Sequence, residues 1–127
     1  MANELILIVE DNPKNLKLVR DTLQVKGYQT VEAGTGEEGV RLARERGPAL
    51  ILMDIQLPGI SGITAFRQLR DDAVTRTIPV IAVTASMMPD DRRQIMAAGF
   101  DGFQGKPISV MELLETIRQI LERSARQ

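Results

Sequence analysis

Short aliphatic runs alternate with amphipathic segments along the whole chain, and this alternation limits the folds that the sequence can adopt. The candidate strands are 5–9, 28–33, 49–53, 78–83 and 100–104. The first, third and fourth runs are almost entirely aliphatic, as expected of strands that helices cover on both faces. The run at 28–33 is more polar, so it is predicted to lie at an edge of the sheet.

Helix-start signals stand between these runs. They fall at Asn12, Thr35, Ser61, Pro89 and Ser109. Asn12 is a cap residue directly before a proline, whereas Thr35 and Ser109 each precede a glutamate by three residues, as in a capping box. In the last helix, a core-facing stripe is predicted from the spacing of Val110, Leu114, Ile117 and Leu121.

Five strand–helix units with right-handed crossovers place helices on both faces of a parallel sheet. We therefore expect an α/β fold with a single doubly wound, five-stranded parallel sheet and five helices. The flavodoxin-like strand order 2-1-3-4-5 is expected by analogy. Because few residues follow Leu121, we expect residues 1–127 to form a single domain without an output domain.

The residue types that the chain lacks restrict its chemistry. It contains no Cys and no His, which excludes disulfides, thiolate zinc sites, a Ser-His-Asp relay and imidazole ligands. The remaining natural cofactor is an oxygen-bound cation such as Mg²⁺. A net charge of −1 and the absence of basic runs argue against nucleic acid or membrane as a partner. With no signal peptide visible, we expect a cytoplasmic protein.

Carboxylates follow two of the aliphatic runs. Glu10 and Asp11 come directly after the first run, and Asp54 comes directly after the third. In open α/β sheets, ligands bind at the carboxyl ends of the strands. These acids therefore suit Mg²⁺-assisted handling of a phosphoryl group, although a solvated acidic loop with a helix-capping acid would have the same sequence.

Thr84 ends the fourth strand, and Lys106 follows the fifth. Taken alone, each has an ordinary explanation, as a strand-end hydroxyl and a surface lysine. Together with the acids, they give strand ends that carry carboxylates, a hydroxyl and an amine. This set suits an acyl phosphate, in which one carboxylate takes the phosphoryl group and the hydroxyl and ammonium contact its oxygens.

Four motifs in this order resemble the receiver domain of two-component response regulators, the CheY-like family. They are Ile-Val-Glu-Asp-Asn at 8–12, Leu-Met-Asp-Ile-Gln-Leu-Pro-Gly at 52–59 with Gly62, Val-Thr-Ala at 83–85, and Lys-Pro at 106–107. The resemblance covers essentially the whole chain. The stretches 54–62 and 106–110 are similar to stand-alone receivers of the DivK type, which act in bacterial cell-cycle and polarity control.

The resemblance implies a role for each acid. Asp54 would accept a phosphoryl group from a histidine on a partner histidine kinase or histidine phosphotransfer protein. Glu10, Asp11, Asp54 and the backbone carbonyl of Gln56 would bind Mg²⁺. The chain would then be a phosphorylation-activated switch rather than an enzyme, with self-catalysed phosphoryl acceptance and slow autodephosphorylation only.

The same resemblance implies a conformational switch. Thr84 would hydrogen-bond the phosphoryl group, Lys106 would pair with it, and the Lys106–Pro107 bond would be cis. Phe103 occupies the position of the family's switch aromatic, although ordinary core packing would also explain it. Movement of Thr84 and Phe103 would alter the surface of helix 4, strand 5 and helix 5 for a downstream protein target, and a phosphorylation-dependent homodimer stays open.

Two residues near the site are given a role in how long the phosphoryl group persists. Gln56 and Ser86, two residues after Asp54 and Thr84, are predicted to tune the phosphoryl lifetime.

Two alternative functions remain open. An Asp-nucleophile phosphohydrolase resembling the haloacid dehalogenase group would need an acid as general acid/base at the position of Gln56. A receiver-like scaffold that is not phosphorylated is the other alternative.

Three methionines lie near the fourth helix. Core filling is favoured over a binding surface for Met87, Met88 and Met96.

Overall fold

A computed structural model describes residues 3–86 and 88–125 of the chain. Within these residues, five strands alternate with five helices. The strands are β1 (Leu5–Val9), β2 (Gln29–Ala33), β3 (Leu50–Asp54), β4 (Val80–Thr84) and β5 (Gly102–Gly105). The helices are α1 (Pro13–Val25), α2 (Gly36–Arg46), α3 (Gly62–Asp71), α4 (Pro89–Ala98) and α5 (Val110–Ala125).

All four strand pairings are parallel, and the strand order is β2-β1-β3-β4-β5. This confirms the predicted fold and strand order. The more polar strand β2 lies at an edge, as predicted, while the aliphatic strands β1, β3 and β4 occupy the centre. The order places the switch point between β1 and β3, whose carboxyl ends carry the candidate acids.

Two hydrophobic clusters cover the two faces of the sheet. On one face, α2, α3 and α4 contribute Ala43, Phe66, Leu69 and Ile95 to a cluster with the strands. On the other face, α1 and α5 contribute Val19, Leu23, Leu113, Ile117 and Ile120. The sheet is therefore doubly wound, as expected. In the part of the chain that the structure describes, no helix has both the length and the apolar character needed to cross a membrane.

The helices begin where the capping signals predicted. Asn12 Oδ1 accepts hydrogen bonds from the backbone N–H groups of Lys14 and Asn15, at 2.9 and 3.2 Å. Thr35 Oγ1 caps α2 by accepting from the N–H of Glu38 at 3.1 Å. These bonds satisfy donors that a helix start would otherwise leave unpaired.

One packing prediction was confirmed in part, and another was wrong. In α5, Ile117 is buried and Leu114 and Leu121 pack partly buried against the core, as predicted. The other fully buried positions are Leu113 and Ile120, so the centre of the stripe lies about one residue from the prediction. The side chains of Met88 and Met96 are 66% and 54% exposed, so they do not fill the core. Met87, the third methionine of that prediction, lies outside the described residues.

Candidate functional site

The carboxyl ends of three neighbouring strands bring polar side chains to one edge of the sheet. Glu10 follows β1, Asp54 ends β3 and Thr84 ends β4. These residues are only 4%, 3% and 2% exposed, respectively. Because an unpaired buried carboxylate is strongly disfavoured, the two acids require partners at this edge.

Three carboxylates meet at this edge. One carboxylate oxygen from each of Glu10, Asp11 and Asp54 lies within 4.8 Å of the others. Asp11 is exposed, whereas the other two are buried. A group of this kind, open to solvent on one side and built only from oxygen donors, suits a small hard cation with part of its water shell retained.

Lys106 reaches this cluster from the loop after β5. Its Nζ lies 2.9 Å from Asp54 Oδ2 and 3.0 Å from Glu10 Oε1. The backbone N–H of Lys106 donates to the carbonyl oxygen of Thr84 at 2.8 Å, which extends the pairing of β4 with β5 up to this residue. The Lys106–Pro107 peptide bond is cis. The ammonium therefore offsets part of the repulsion between two buried carboxylates.

Backbone donors orient the two buried carboxylates. The N–H of Asn12 donates to Glu10 Oε2 at 3.1 Å, and the N–H of Gln56 donates to Asp54 Oδ1 at 3.0 Å. In both bonds the backbone N–H two residues later donates to the carboxylate. At Asp54 this is the pattern of an Asx turn, and the longer side chain of Glu10 makes the corresponding contact. Each carboxylate thus has one oxygen held by the backbone and the other held by Lys106.

Burial and proximity perturb the ionisation of the site. Burial, reinforced by the neighbouring Asp54 carboxyl, raises the pKa of Glu10 to about 7, against the lowering effect of Asn12 and Lys106. For Lys106, burial by itself lowers the pKa, but hydrogen bonds and charge from Asp54 and Glu10 outweigh it, so that the pKa is raised. The lysine therefore stays a cation, while Glu10 can bind a proton near neutral pH.

Thr84 is tied to the loop that leads into α4. Its Oγ1 accepts a hydrogen bond from the N–H of Ser86 at 3.1 Å. The Ser86 hydroxyl in turn donates to the Asp91 carboxylate in the first turn of α4. Accepting a bond leaves the Thr84 hydroxyl free to donate its hydrogen to another oxygen.

Phe103 lies on β5 and packs partly buried against the cluster beneath α4. The Arg92 guanidinium carbon lies over its ring, 5.2 Å from the ring centroid. Sequence reasoning missed both Arg92 and the Ser86–Asp91 bond. Asp91 stands in the first turn of α4, where an acid suits the helix dipole and gives no hint of a bond with Ser86. The contact of Arg92 depends on how α4 docks against β5.

Comparison of this chain with known protein families and proteins agrees with this geometry. Residues 6–118 match the model of the response regulator receiver domain. The chain is 48% identical over 116 residues to the polar-differentiation response regulator DivK of Brucella ovis, covering 91% of this chain and 94% of that protein.

Solved structures give the same result. The chain superposes on a putative response regulator of Chloroflexus aurantiacus with a TM-score of 0.90 and 28% identity, covering 94% and 98% of the two chains. The receiver domain of a sensor histidine kinase from Pseudomonas aeruginosa, with a magnesium ion coordinated in its active-site cleft, gives a TM-score of 0.85 and 34% identity, with 99% and 100% covered. The chain belongs to the response regulator receiver domain family of two-component signalling.

Proposed function

We propose that this receiver is a phosphorylation-activated switch whose phosphoryl acceptor is Asp54. The donor would be a phosphohistidine on a partner histidine kinase or histidine phosphotransfer protein. The observation that carries the proposal is the convergence of Asp54 with two further carboxylates and with Lys106, at 2.9 Å, on one edge of the sheet. A structural ion pair would require only one acid beside the lysine.

The donor set fits Mg²⁺, which favours carboxylate and carbonyl oxygens. Glu10, Asp11, Asp54 and the backbone carbonyl of Gln56 would hold it. When bound, the ion supplies positive charge that offsets the carboxylates and the charge developing on the phosphoryl oxygens. The magnesium ion in the cleft of the Pseudomonas aeruginosa receiver, a relative at 34% identity, supports this assignment.

In the transfer step, a carboxylate oxygen of Asp54 attacks the phosphorus of the donor phosphohistidine. The new O–P bond forms as the P–N bond breaks, and the imidazole leaves and takes a proton from solvent. Lys106 moves its hydrogen bond from the carboxylate to a phosphoryl oxygen. Thr84 donates its hydroxyl hydrogen to another phosphoryl oxygen while continuing to accept from Ser86.

The added charge changes the surface that partners bind. A phosphoryl group brings a charge of about −2 and several acceptor oxygens to the site. As Thr84 is drawn toward it, Phe103 turns inward, and the surface formed by α4, β5 and α5 changes for a downstream protein or for a second copy of the chain. Phosphorylation acts by shifting an equilibrium between resting and active arrangements that both exist beforehand.

We further propose that the only reactions of this chain are its own phosphorylation and slow dephosphorylation. Gln56 and Ser86 follow Asp54 and Thr84 by two residues each, so we expect their side chains to lie near the path of the attacking water. The double variant Gln56→Ala/Ser86→Ala should therefore change the half-life of the phosphorylated protein. Unchanged dephosphorylation would remove their proposed role.

Labelling with radioactive acetyl phosphate and Mg²⁺ tests the central claim. The wild-type chain should take up label, and Asp54→Ala should take up none while keeping a wild-type circular dichroism spectrum. Asp71→Ala is the matched control, because Asp71 is an exposed acid at the end of α3. Label retained at the wild-type level in Asp54→Ala would refute Asp54 as the acceptor.

A further inference from the structure

Two consecutive residues in the first turn of α4 contact both parts of the proposed switch. Asp91 accepts the hydrogen bond from the Ser86 hydroxyl, on the loop that begins after Thr84. Arg92 lies over the ring of Phe103, with 5.2 Å between the guanidinium carbon and the ring centroid. One helical turn therefore joins the phosphoryl-binding loop to the aromatic side chain on β5.

Arg92 differs from the neighbouring arginine of α4 in what its guanidinium contacts. Arg93, the next residue, pairs with the Asp90 carboxylate on the exposed side of α4. In residues 3–86 and 88–125, by contrast, Arg92 forms no ion pair with an acid, and its guanidinium faces the aromatic ring. A cation over the face of an aromatic ring is attracted by the ring quadrupole, which stabilises the position that the ring occupies.

Phe103 lies at the boundary of the core, where its ring has room to move. The ring is partly buried against the cluster beneath α4, at the edge strand of the sheet. Phe103 also lines a surface groove together with Met111 and Glu112 of α5. A ring at such a boundary can move without disrupting the main core, and Arg92 covers it from the helix above.

We propose that Arg92 and Asp91 are positioning residues that hold Phe103 and Ser86 in the resting arrangement, so that the first turn of α4 sets the balance between resting and active states. The inference rests on the proposed function, because it concerns the regulation of the same site. Both contacts must loosen when Phe103 turns inward and the loop follows Thr84. Removing either contact should therefore favour the active state.

The size of the effect follows from the strength of the contact. An exposed cation–π contact that exists only in the resting state biases the equilibrium by about two- to fivefold. When the competent state is a minor population, the apparent affinity of a ligand that selects it rises by the same factor. We expect Arg92→Ala to bind beryllofluoride with Mg²⁺ about two- to fivefold more tightly than the wild-type chain does.

Beryllofluoride titrations of the full chain, followed by NMR, test the role of Arg92. Arg93→Ala is the matched control, because it removes a cation from the same helix without touching Phe103, and it should keep wild-type affinity. Arg92→Lys should lie between wild type and Arg92→Ala, since an ammonium retains part of the attraction to the ring. In the Phe103→Leu background, Arg92→Ala should no longer change the affinity.

A purely structural role would give a different result. Arg92→Ala would then lower the thermal midpoint but leave the beryllofluoride affinity equal to that of Arg93→Ala, and this outcome would overturn the inference. A wild-type chain that fails to bind beryllofluoride would instead overturn the proposed function, and the inference with it. The two failures are therefore distinguishable in one set of titrations.

Asp91 is tested in the same way against its neighbour. Asp91→Ala and Asp90→Ala each remove one acid from the first turn of α4, so they change the helix-end electrostatics alike. Only Asp91→Ala releases Ser86, and it should both raise the beryllofluoride affinity and alter the lifetime of the phosphorylated protein. Equal behaviour of the two variants would contradict the role of Asp91.

Discussion

Lys106 Nζ lies 2.9 Å from Asp54 Oδ2, although 52 residues separate these side chains along the sequence. The same ammonium lies 3.0 Å from Glu10 Oε1, so one cation is shared by two buried carboxylates. The Lys106 side chain is itself only 18% exposed, which limits the screening of this pairing by solvent. This pairing explains how two buried carboxylates are tolerated at the carboxyl ends of β1 and β3.

Replacing Lys106 with methionine should destabilise the Mg²⁺-free protein. Lys106→Met leaves two buried carboxylates without their cation, and we expect the free energy of unfolding to fall by about 1–3 kcal/mol at pH 8. Denaturant melts measure this change, and added Mg²⁺ should reduce it by replacing the lost charge. Lys17→Met, which breaks an exposed pair with Asp21, should cost less than about 1 kcal/mol. Equal losses in the two variants would contradict the prediction.

The raised pKa of Glu10 makes the stability of the Mg²⁺-free protein depend on pH. Burial raises the pKa of this carboxyl from 4.5 to about 7 in the folded state. The folded state thus binds the proton more tightly than the unfolded chain, so the stabilisation is complete below about pH 4.5 and is lost as the pH rises through about 7. Denaturant melts between pH 5 and 8 should show stability falling by at most about 1.4 kcal/mol per pH unit from this group.

Glu10→Gln is the control for this dependence, because it removes the titrating group and keeps the shape of the side chain. Its melts should lose the part of the slope between pH 5 and 8 that Glu10 supplies. Since a cation competes with the proton for the carboxylate, Mg²⁺ should also bind the wild-type chain more tightly at pH 8 than at pH 6. An unchanged slope in Glu10→Gln would show that another group is responsible.

Replacing Asp11 should weaken Mg²⁺ binding without destabilising the Mg²⁺-free protein. Its side chain is exposed, so Asp11→Asn should change the free energy of unfolding without Mg²⁺ by no more than about 0.5 kcal/mol. A ligand that binds only the folded state stabilises it in proportion to the logarithm of its concentration over its dissociation constant. The Mg²⁺-dependent increase in thermal midpoint should therefore be large in the wild-type chain and small in Asp11→Asn. An equal increase in both would exclude Asp11 as a ligand.

Much of the fold was predictable because local signals and the global arrangement agree. The aliphatic runs that end at Val9 and Met53 predicted central strands, and the polar run that ends at Ala33 predicted an edge strand. Parallel strands necessarily bring their carboxyl ends to one edge. The spatial grouping of Glu10, Asp54 and the strand-end Thr84 therefore followed from the fold class and the strand order.

Other contacts could not be predicted, because they depend on how helices dock. The fully buried side chains of α5 are Leu113, Ile117 and Ile120, of which only Ile117 was predicted, since several apolar positions on that helix could face the sheet. The ring contact of Arg92 and the Ser86–Asp91 bond join different elements, and neither has a sequence signature. The Asx-type bond from Gln56 to Asp54, in contrast, spans two residues and could have been predicted.

Gly62 should be important for β3, the strand that carries the proposed acceptor Asp54, for steric reasons. A Cβ at this position would lie 2.2 Å from the backbone oxygen of Asp54. Alanine would gain about 1 kcal/mol from helix propensity at the start of α3, but the overlap forces the backbone after the acceptor to move, so we expect a net loss of about 2–3 kcal/mol and slower labelling by acetyl phosphate. Gly34→Ala is the matched control, because a Cβ there meets no atom within 4 Å. Denaturant melts and labelling rates measured side by side should show a loss of stability and slower labelling only in Gly62→Ala. A Gly62→Ala chain that is as stable and as readily labelled as Gly34→Ala would show that β3 does not depend on this close approach.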